Sequence, residues 1–236
     1  MAHLFWRVME TDLVIFDCDG VLIDSEVISA RMLIAELKSY GVEMDMGFVS
    51  RHFLGRSYPV VLQEVRTRWG VALPAQFEAD YRARLLAAFE RDLKLMSGVT
   101  DVIGQLARPY CLATSSSPER LRRSLELTGL MPLFSGRCFT ASEVAQGKPA
   151  PDLFLHVASR MGAEPARCLV IEDSLNGVRA GLAAGMEVWR FTGGSHLVGL
   201  DLTPPDDAIP HASLSRMADF YILRPQLRDA SQPAAE

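Results

Sequence analysis

The chain has 236 residues, 49% of them apolar and 22% charged, so a folded core with or without an inserted segment is expected and wholesale disorder is not. The net charge of −5 excludes the basic surface of a nucleic-acid-binding protein, and no apolar run approaches the roughly 20 residues of a membrane helix. Residues 1–10 lack the apolar core of a signal peptide and the four cysteines form no C-x-x-C pair, so we expect free thiols in a cytoplasmic protein.

The first predicted element is a buried strand over residues 13–16, a run of four apolar residues with β-branched members at its centre. Asp17 follows directly and Asp19 comes two residues later, so both carboxylates project to the same side of an extended backbone. Gly20 then allows a tight turn. Ligands bind at the carboxyl ends of strands in open α/β sheets, but a strand that simply ends in an Asp-Gly turn has the same pattern.

A long helical stretch follows this strand. Apolar spacing predicts a helix from residue 26 to 40, and helical periodicity continues from residue 48 to 95 with breaks at glycine and proline. No strand is predicted between Ser25 and Met96. We interpret residues 25–95 as a helical cap domain inserted over the carboxyl ends of the strands.

Strands and helices alternate through the rest of the chain. Predicted strands cover residues 110–113, 137–140, 168–171 and 188–191, and predicted helices cover residues 99–107, 119–128, 153–161 and a segment that ends at Gly185. This alternation favours a parallel sheet covered by helices. The predicted fold is α/β, with a Rossmann-like core of residues 1–24 and 96–224, the inserted all-helical cap, and a flexible tail of residues 225–236.

Polar side chains follow several predicted strands and one loop: Asp17 and Asp19, Thr114 and Ser115, Lys148, and Glu172 and Asp173. Each has a structural explanation as a helix cap or a solvated loop residue. Together they converge on one face of the sheet, where Asp17, Asp173 and an oxygen near Asp19 would form the hard anionic site that Mg²⁺ prefers.

The same groups suit phosphoryl transfer, which requires chiefly positioning and neutralisation of charge. Thr114 and the free amides of the following helix can hold phosphate oxygens, and Lys148 adds a positive charge. A carboxylate beside the metal can act as a nucleophile, and a second carboxyl two residues on can serve as acid and base.

These motifs resemble those of the haloacid dehalogenase superfamily, specifically its Mg²⁺-dependent phosphatases with a small helical cap. The resemblance extends from Asp12 to about Phe191, and its four motifs are the segment 17–25, the pair 114–115, Lys148 in Gly-Lys-Pro-Ala-Pro-Asp, and the segment 172–177.

The resemblance implies a role for each matched residue. Asp17 is expected to be the nucleophile and a metal ligand, and Asp19 the acid and base that lends its backbone carbonyl to Mg²⁺. Asp173 is expected to be a further ligand, with Glu172 supporting the metal shell. Thr114 is preferred to Ser115 as the phosphate-binding hydroxyl because it closes the strand directly.

The first motif looks like that of bacterial sugar-phosphate phosphatases, including the type that acts on 6-phosphogluconate. The resemblance therefore predicts hydrolysis of a small phosphorylated sugar, polyol or aldonic acid through an aspartyl-phosphate. The expected partner is that metabolite, without nucleic acid or membrane, and the expected state is a monomer or weak homodimer.

Two alternatives stay open. A mutase similar to beta-phosphoglucomutase would carry a cap-side histidine where this sequence has Ser29, and its cap-loop arginine lies one position away from Arg56. The other alternative is a non-catalytic protein that binds a phosphosugar on the same scaffold.

Substrate choice is assigned to the cap loop around Gly55. The candidates there are Arg51, His52, Arg56 and Ser57, with Arg56 ranked first, although each is also compatible with a solvated helix–helix turn. The basic cluster of Arg120, Arg122 and Arg123 is interpreted as a solvated helix face.

Overall fold

A computed structural model describes residues 10–53 and 56–231 of the chain. Its centre is a six-stranded parallel sheet in the order β3-β2-β1-β4-β5-β6. The strands are β1 (Leu13–Phe16), β2 (Tyr110–Thr114), β3 (Cys138–Thr140), β4 (Cys168–Glu172), β5 (Glu187–Phe191) and β6 (Ala212–Leu214).

Helices cover both faces of this sheet. They are α1 (Glu26–Lys38), α2 (Met46–His52), α3 (Tyr58–Trp69), α4 (Phe77–Asp92), α5 (Val99–Gly104), α6 (Pro118–Thr128), α7 (Met131–Phe134), α8 (Asp152–Met161), α9 (Leu175–Ala183) and α10 (Phe220–Leu223). Successive residues of a strand point to opposite faces, which is why an unbroken apolar run such as β1 is fully buried.

Two apolar clusters lie on opposite faces of the sheet. Val14 and Phe16 of β1 pack with residues of α5, α6, α7 and α10, whereas Leu13 and Ile15 pack with residues of α8 and α9. The α/β fold class predicted from the alternation of strands and helices is confirmed.

The segment between β1 and α5 contains the helices α1 to α4 and, in its described part, no strand. These helices share a third apolar cluster, which includes Leu37, Leu62, Tyr81 and Phe89. The chain enters and leaves the segment side by side, since Asp24 N donates to Lys94 O at 2.9 Å and Met96 N to Leu22 O at 3.0 Å.

Two features differ from the sequence-based prediction. Strand β6 was not predicted, because it is a three-residue edge strand in which only Leu214 is buried. The flexible tail is wrong for its first residues: Leu227 is buried and its carbonyl accepts from Ala107 N at 2.8 Å, and Asp229 N donates to Gln105 O at 2.7 Å. Residues 232–236 lie outside the described part.

No helix within the described residues has the length and apolar character that crossing a membrane requires. The four cysteines are free, and Cys18, Cys111 and Cys168 are buried.

Candidate active site

Three neighbouring strands bring the predicted site residues together. Because β1 lies between β2 and β4 and all three are parallel, Asp17, Thr114 and Glu172 reach the same edge of the sheet. Asp17 and Asp173 are almost fully buried there, with 5% and 2% of their surfaces exposed. The predicted convergence is therefore present in the structure.

Lys148 links the two acidic strand ends. Its ammonium donates to Asp17 Oδ1 at 2.5 Å, to Glu172 Oε1 at 2.7 Å and to Ala113 O at 3.1 Å. All three ammonium donors are thus used within the site, and the lysine is buried rather than solvated. The two carboxylates outweigh the effect of burial and hold the pKa of Lys148 above its ordinary value.

The three acids Asp17, Glu172 and Asp173 form one cluster, with one carboxylate oxygen from each within 4.8 Å of the others. Burial raises the pKa of Asp17 well above its ordinary value, against the opposing charge of Lys148. Burial and the charge of Glu172 raise the pKa of Asp173 in the same way. One lysine does not neutralise three buried acids, so the cluster favours a further positive charge.

A divalent cation fits this donor set. Carboxylate oxygens are the ligands that Mg²⁺ and similar hard ions take, and Asp17, Glu172 and Asp173 each offer one within 4.8 Å of the others. Gly20 allows the Asp173 carboxylate to lie against the turn after β1, since a Cβ at position 20 would lie 2.1 Å from Asp173 Oδ2. Asp17, Asp173 and Glu172 are therefore suited to hold a metal.

Glu172 is itself held in place by the start of α9. Its Oε2 accepts from Ser174 N at 2.8 Å and from Ser174 Oγ at 3.0 Å. Gly177 lies directly against it, and a Cβ there would come within 1.7 Å of Oε1. A glycine in the first turn of α9 thus lets that helix approach the carboxylate that orients Lys148.

Asp19 is surrounded by donors from the turn after β1, the loop after β2 and α6. Its Oδ1 accepts from Ser25 Oγ at 2.5 Å and from Arg120 at 2.7 Å, and its Oδ2 accepts from Ser116 Oγ at 2.6 Å. Burial acts to raise the pKa of Asp19, but the charge of Arg120 and these hydrogen bonds outweigh it and lower that pKa. Thr114 Oγ1 lies 3.4 Å from Oδ2.

The interpretation of Arg120 as part of a solvated face is wrong. Its guanidinium reaches Asp19, donates to Ser29 Oγ at 3.1 Å and lies over the Phe89 ring at 5.2 Å. Its neighbour Arg122 does extend from the helix and pairs with Glu126. The spacing of charges alone does not distinguish the two, because a paired arginine can be buried against an acid distant in sequence.

A cavity of about 780 Å³ lies between the strand ends and the helices α1 to α4. Asp17, Asp19 and Lys148 line one side of it, together with Thr114 and Ser115. A phosphate ester in the cavity would therefore meet Asp17, Asp19 and Lys148 at the strand ends and the helices at its other end.

The structure brings only half of the predicted cap residues to the cavity. Arg56 and Ser57 line it, and Arg56 is paired with Glu64. Arg51 is exposed and His52 packs on Phe48, with ring centroids 4.4 Å apart, and neither lines the cavity. Both lie on α2, ahead of the loop residues 54–55, which are outside the described part.

Several cavity residues were not predicted from the sequence. Glu26, Tyr58, Tyr81 and Arg82 line the side formed by the helices. Glu26 follows the first motif directly, and burial raises its pKa to about 7. Glu26 could have been predicted from its position directly after the first motif. The two tyrosines could not, because their spacing on α3 and α4 is that of ordinary core residues.

The chain matches the family of haloacid dehalogenase-like hydrolases over residues 11–185. It is 29% identical over 187 residues to 6-phosphogluconate phosphatase of Escherichia coli K12, covering 78% of this chain and 84% of that protein. It is also 29% identical over 177 residues to hexitol phosphatase B of the same organism, covering 73% and 79%. A haloacid dehalogenase-like structure from Agrobacterium tumefaciens C58 has a TM-score of 0.75 and 34% identity, covering 92% of this chain and 98% of that one.

Proposed function

This chain belongs to the haloacid dehalogenase-like hydrolase family, as its motifs predicted, and from that premise we propose that it is an Mg²⁺-dependent phosphatase of small phosphorylated metabolites. The observation that carries the proposal is the buried cluster of Asp17, Glu172 and Asp173, with Lys148 bonded to the first two, beside a 780 Å³ cavity that Asp17 and Lys148 line. As a phosphoric monoester hydrolase it would cleave the P–O bond of its substrate.

Asp17 is the proposed nucleophile. One of its oxygens is held by Lys148, and the side chain lines the cavity, so the carboxylate can attack phosphorus and displace the alcohol. The bond that forms joins an Asp17 oxygen to phosphorus, and the bond that breaks is that between phosphorus and the alcohol oxygen. A divalent cation held by Asp17 and Asp173 would supply positive charge against the phosphoryl oxygens.

Asp19 is the proposed proton carrier. As an acid it gives a proton to the departing alcohol oxygen, and as a base it takes one from the water that attacks the aspartyl-phosphate. Its low pKa favours the second role directly. The first role requires that the ion pair with Arg120 loosen when substrate fills the cavity.

The proposed alcohol is a sugar, polyol or aldonic acid. The relatives that act on 6-phosphogluconate and on hexitol phosphates support this class. Thr114, Ser115 and Lys148 are proposed to bind the phosphate, and Arg56 and Ser57 the alcohol. No contact in the described residues favours a mutase, and Ser29, at the position of the mutase histidine, donates to Ser25 O at 2.9 Å and accepts from Arg120.

A substrate screen tests the proposal. Purified protein with Mg²⁺ is expected to release inorganic phosphate from p-nitrophenyl phosphate and, faster, from one or more phosphorylated sugars, polyols or aldonic acids. Asp17→Asn should lose at least about 1000-fold in kcat, because a carboxamide cannot act as the nucleophile.

The matched control is Asp207→Asn, which changes an exposed acid paired with Arg179 and should keep full activity. Phosphate release that survives in Asp17→Asn would overturn the covalent mechanism. Wild-type protein that binds a phosphosugar but releases no phosphate would instead make this a binding protein.

A further inference from the structure

His196 lies in the loop after β5 and is nearly buried, with 5% of its surface exposed. Its Nε2 is 2.8 Å from Asp173 Oδ2, but the angles of this contact are not those of a hydrogen bond. Within the described residues neither imidazole nitrogen has another hydrogen-bond partner. A buried imidazole and a buried carboxylate that lack hydrogen bonds destabilise the folded protein. A contact of this kind therefore calls for a functional explanation.

The loop around His196 is built to hold the ring in this place. A Cβ at Gly194 would lie 2.5 Å from His196 Cε1, and a Cβ at Gly20 would lie 2.9 Å from the same atom. The ring therefore occupies a slot between two glycines, one of which belongs to the first motif.

Two further contacts fix the slot relative to the acidic cluster. Asp24 accepts from Ser195 N at 3.2 Å and from Ser195 Oγ at 2.8 Å, which attaches the loop to the turn after Asp19. Arg190 Nε donates to the Asp173 carbonyl at 3.1 Å, which holds the backbone of the acid. With both backbones anchored, a small rotation of either side chain aligns Nε2 with Oδ2.

We propose that His196 is a positioning residue of the metal site, which donates its Nε2–H to Asp173 Oδ2 and so turns the other oxygen of Asp173 toward Asp17 and Glu172. Carboxylates that bind metals are generally oriented by such hydrogen bonds, and losing one costs roughly 10-fold to 100-fold in metal affinity. This inference rests on the proposed function, since it assigns a role toward the cation of that same site.

The test compares two substitutions of equal length. His196→Gln keeps an N–H donor, and His196→Met does not. Metal-free full-length protein is titrated with Mn²⁺, and free Mn²⁺ is followed by electron paramagnetic resonance. We expect the Met variant to bind Mn²⁺ about 10-fold to 100-fold more weakly than the wild type and the Gln variant to stay within about 3-fold.

Steady-state kinetics give a second readout. The Met variant should need about 10-fold more Mg²⁺ for half-maximal activity, with the KM for substrate unchanged at saturating Mg²⁺. His211→Met is the control, since His211 accepts from Val188 N at 3.1 Å at the opposite end of β5. It should leave the Mn²⁺ affinity unchanged. If the Met variant does not fold, His196→Phe replaces it as the variant without a donor.

Two results would overturn the inference. Wild-type Mn²⁺ affinity in the variants without a donor would show that His196 does not act on Asp173. Equal loss of Mn²⁺ affinity in the Gln and Met variants would show that the imidazole itself, and not an N–H donor, is required, which overturns the donor role. A wild type without metal binding and turnover would instead refute the proposed function itself.

Discussion

Arg120 pairs with Asp19, the proposed proton carrier, whereas Arg122 on the same helix is exposed. Arg120 supplies the charge that offsets the burial of Asp19, and its side chain is only 22% exposed. Removing it leaves Asp19 with hydrogen bonds to the uncharged hydroxyls of Ser25, Ser116 and Thr114, so the pKa of Asp19 should rise.

Arg120→Met is therefore expected to move the Asp19-dependent limb of the pH–rate profile to higher pH and to lower kcat by about 10-fold at pH 5, where more of Asp19 is protonated and cannot act as a base. Arg122→Met is the matched control, since Arg122 is exposed and pairs with Glu126 on the same helix. The measurement is kcat from pH 5 to 9 for both variants. A profile of Arg120→Met that coincides with the wild type would separate Arg120 from the chemistry.

Glu26 lies in the first turn of α1 and lines the cavity. Burial raises its pKa to about 7, above the 4.5 of a free glutamate, so the folded protein binds its proton more tightly than the unfolded chain. Stability is therefore lost as pH rises from about 4.5 to 7, and the loss is complete above 7.

Glu26→Gln should remove this penalty and raise the free energy of unfolding by about 1–3 kcal/mol at pH 8, with little effect at pH 4.5. Urea unfolding at the two pH values measures the difference. Glu43→Gln, on the exposed turn after α1, serves as the control. An equal gain at both pH values would contradict the assigned pKa.

At the scale of elements, the start of α3 is the part of the helical segment that carries predicted cavity residues. Arg56 and Ser57 precede its first turn and line the cavity, whereas Arg51 on α2 does not. The pair of Arg56 with Glu64 is partly exposed and contributes at most about 1 kcal/mol to stability.

Arg56→Met is expected to raise the KM for the best phosphosugar by about 10-fold with kcat unchanged, as for a lost contact to the alcohol. The kinetics on p-nitrophenyl phosphate, which lacks the sugar, should not change. Arg51→Met should leave both substrates unaffected. Identical KM values for Arg56→Met and Arg51→Met would place substrate choice elsewhere in the cavity.

Elements with strong periodicity were predicted well, and elements defined by tertiary contacts were not. Leu13–Phe16 and Cys168–Glu172 are apolar strands followed by acids, a pattern that a sequence shows directly. The edge strand β6 and the packed residues 225–229 depend on neighbours distant in sequence, such as Ala107. Arg120 and His196 belong to the same second class, because each contacts an acid more than 20 residues away in the sequence.

For the whole molecule, we expect the acidic cluster to link metal binding to stability. The pKa values of Asp17 and Asp173 are raised, so without a cation the fold loses stability as pH rises above about 4. A cation that binds only the folded state adds about 2.7 kcal/mol when its concentration is 100 times its Kd.

Asp173→Asn tests this coupling. Without metal the variant should melt several degrees above the wild type at pH 8, since it carries one repelling charge fewer in the interior. Added Mg²⁺ should raise the melting temperature of the wild type and leave that of the variant unchanged. Thermal unfolding by circular dichroism, with and without chelator, measures both effects. A variant stabilised by Mg²⁺ as strongly as the wild type would exclude Asp173 as a ligand.

The chain leaves the sheet and returns to it through two backbone segments joined by the bonds of Asp24 to Lys94 and of Met96 to Leu22. Since these junctions are neighbours, everything between them can be lengthened, shortened or exchanged without separating β1 from β2. The same core can thus be grafted with different intervening segments and still present its acids unchanged. Divergence of specificity among such proteins then needs no rebuilding of the chemistry, only a new sequence between two fixed points.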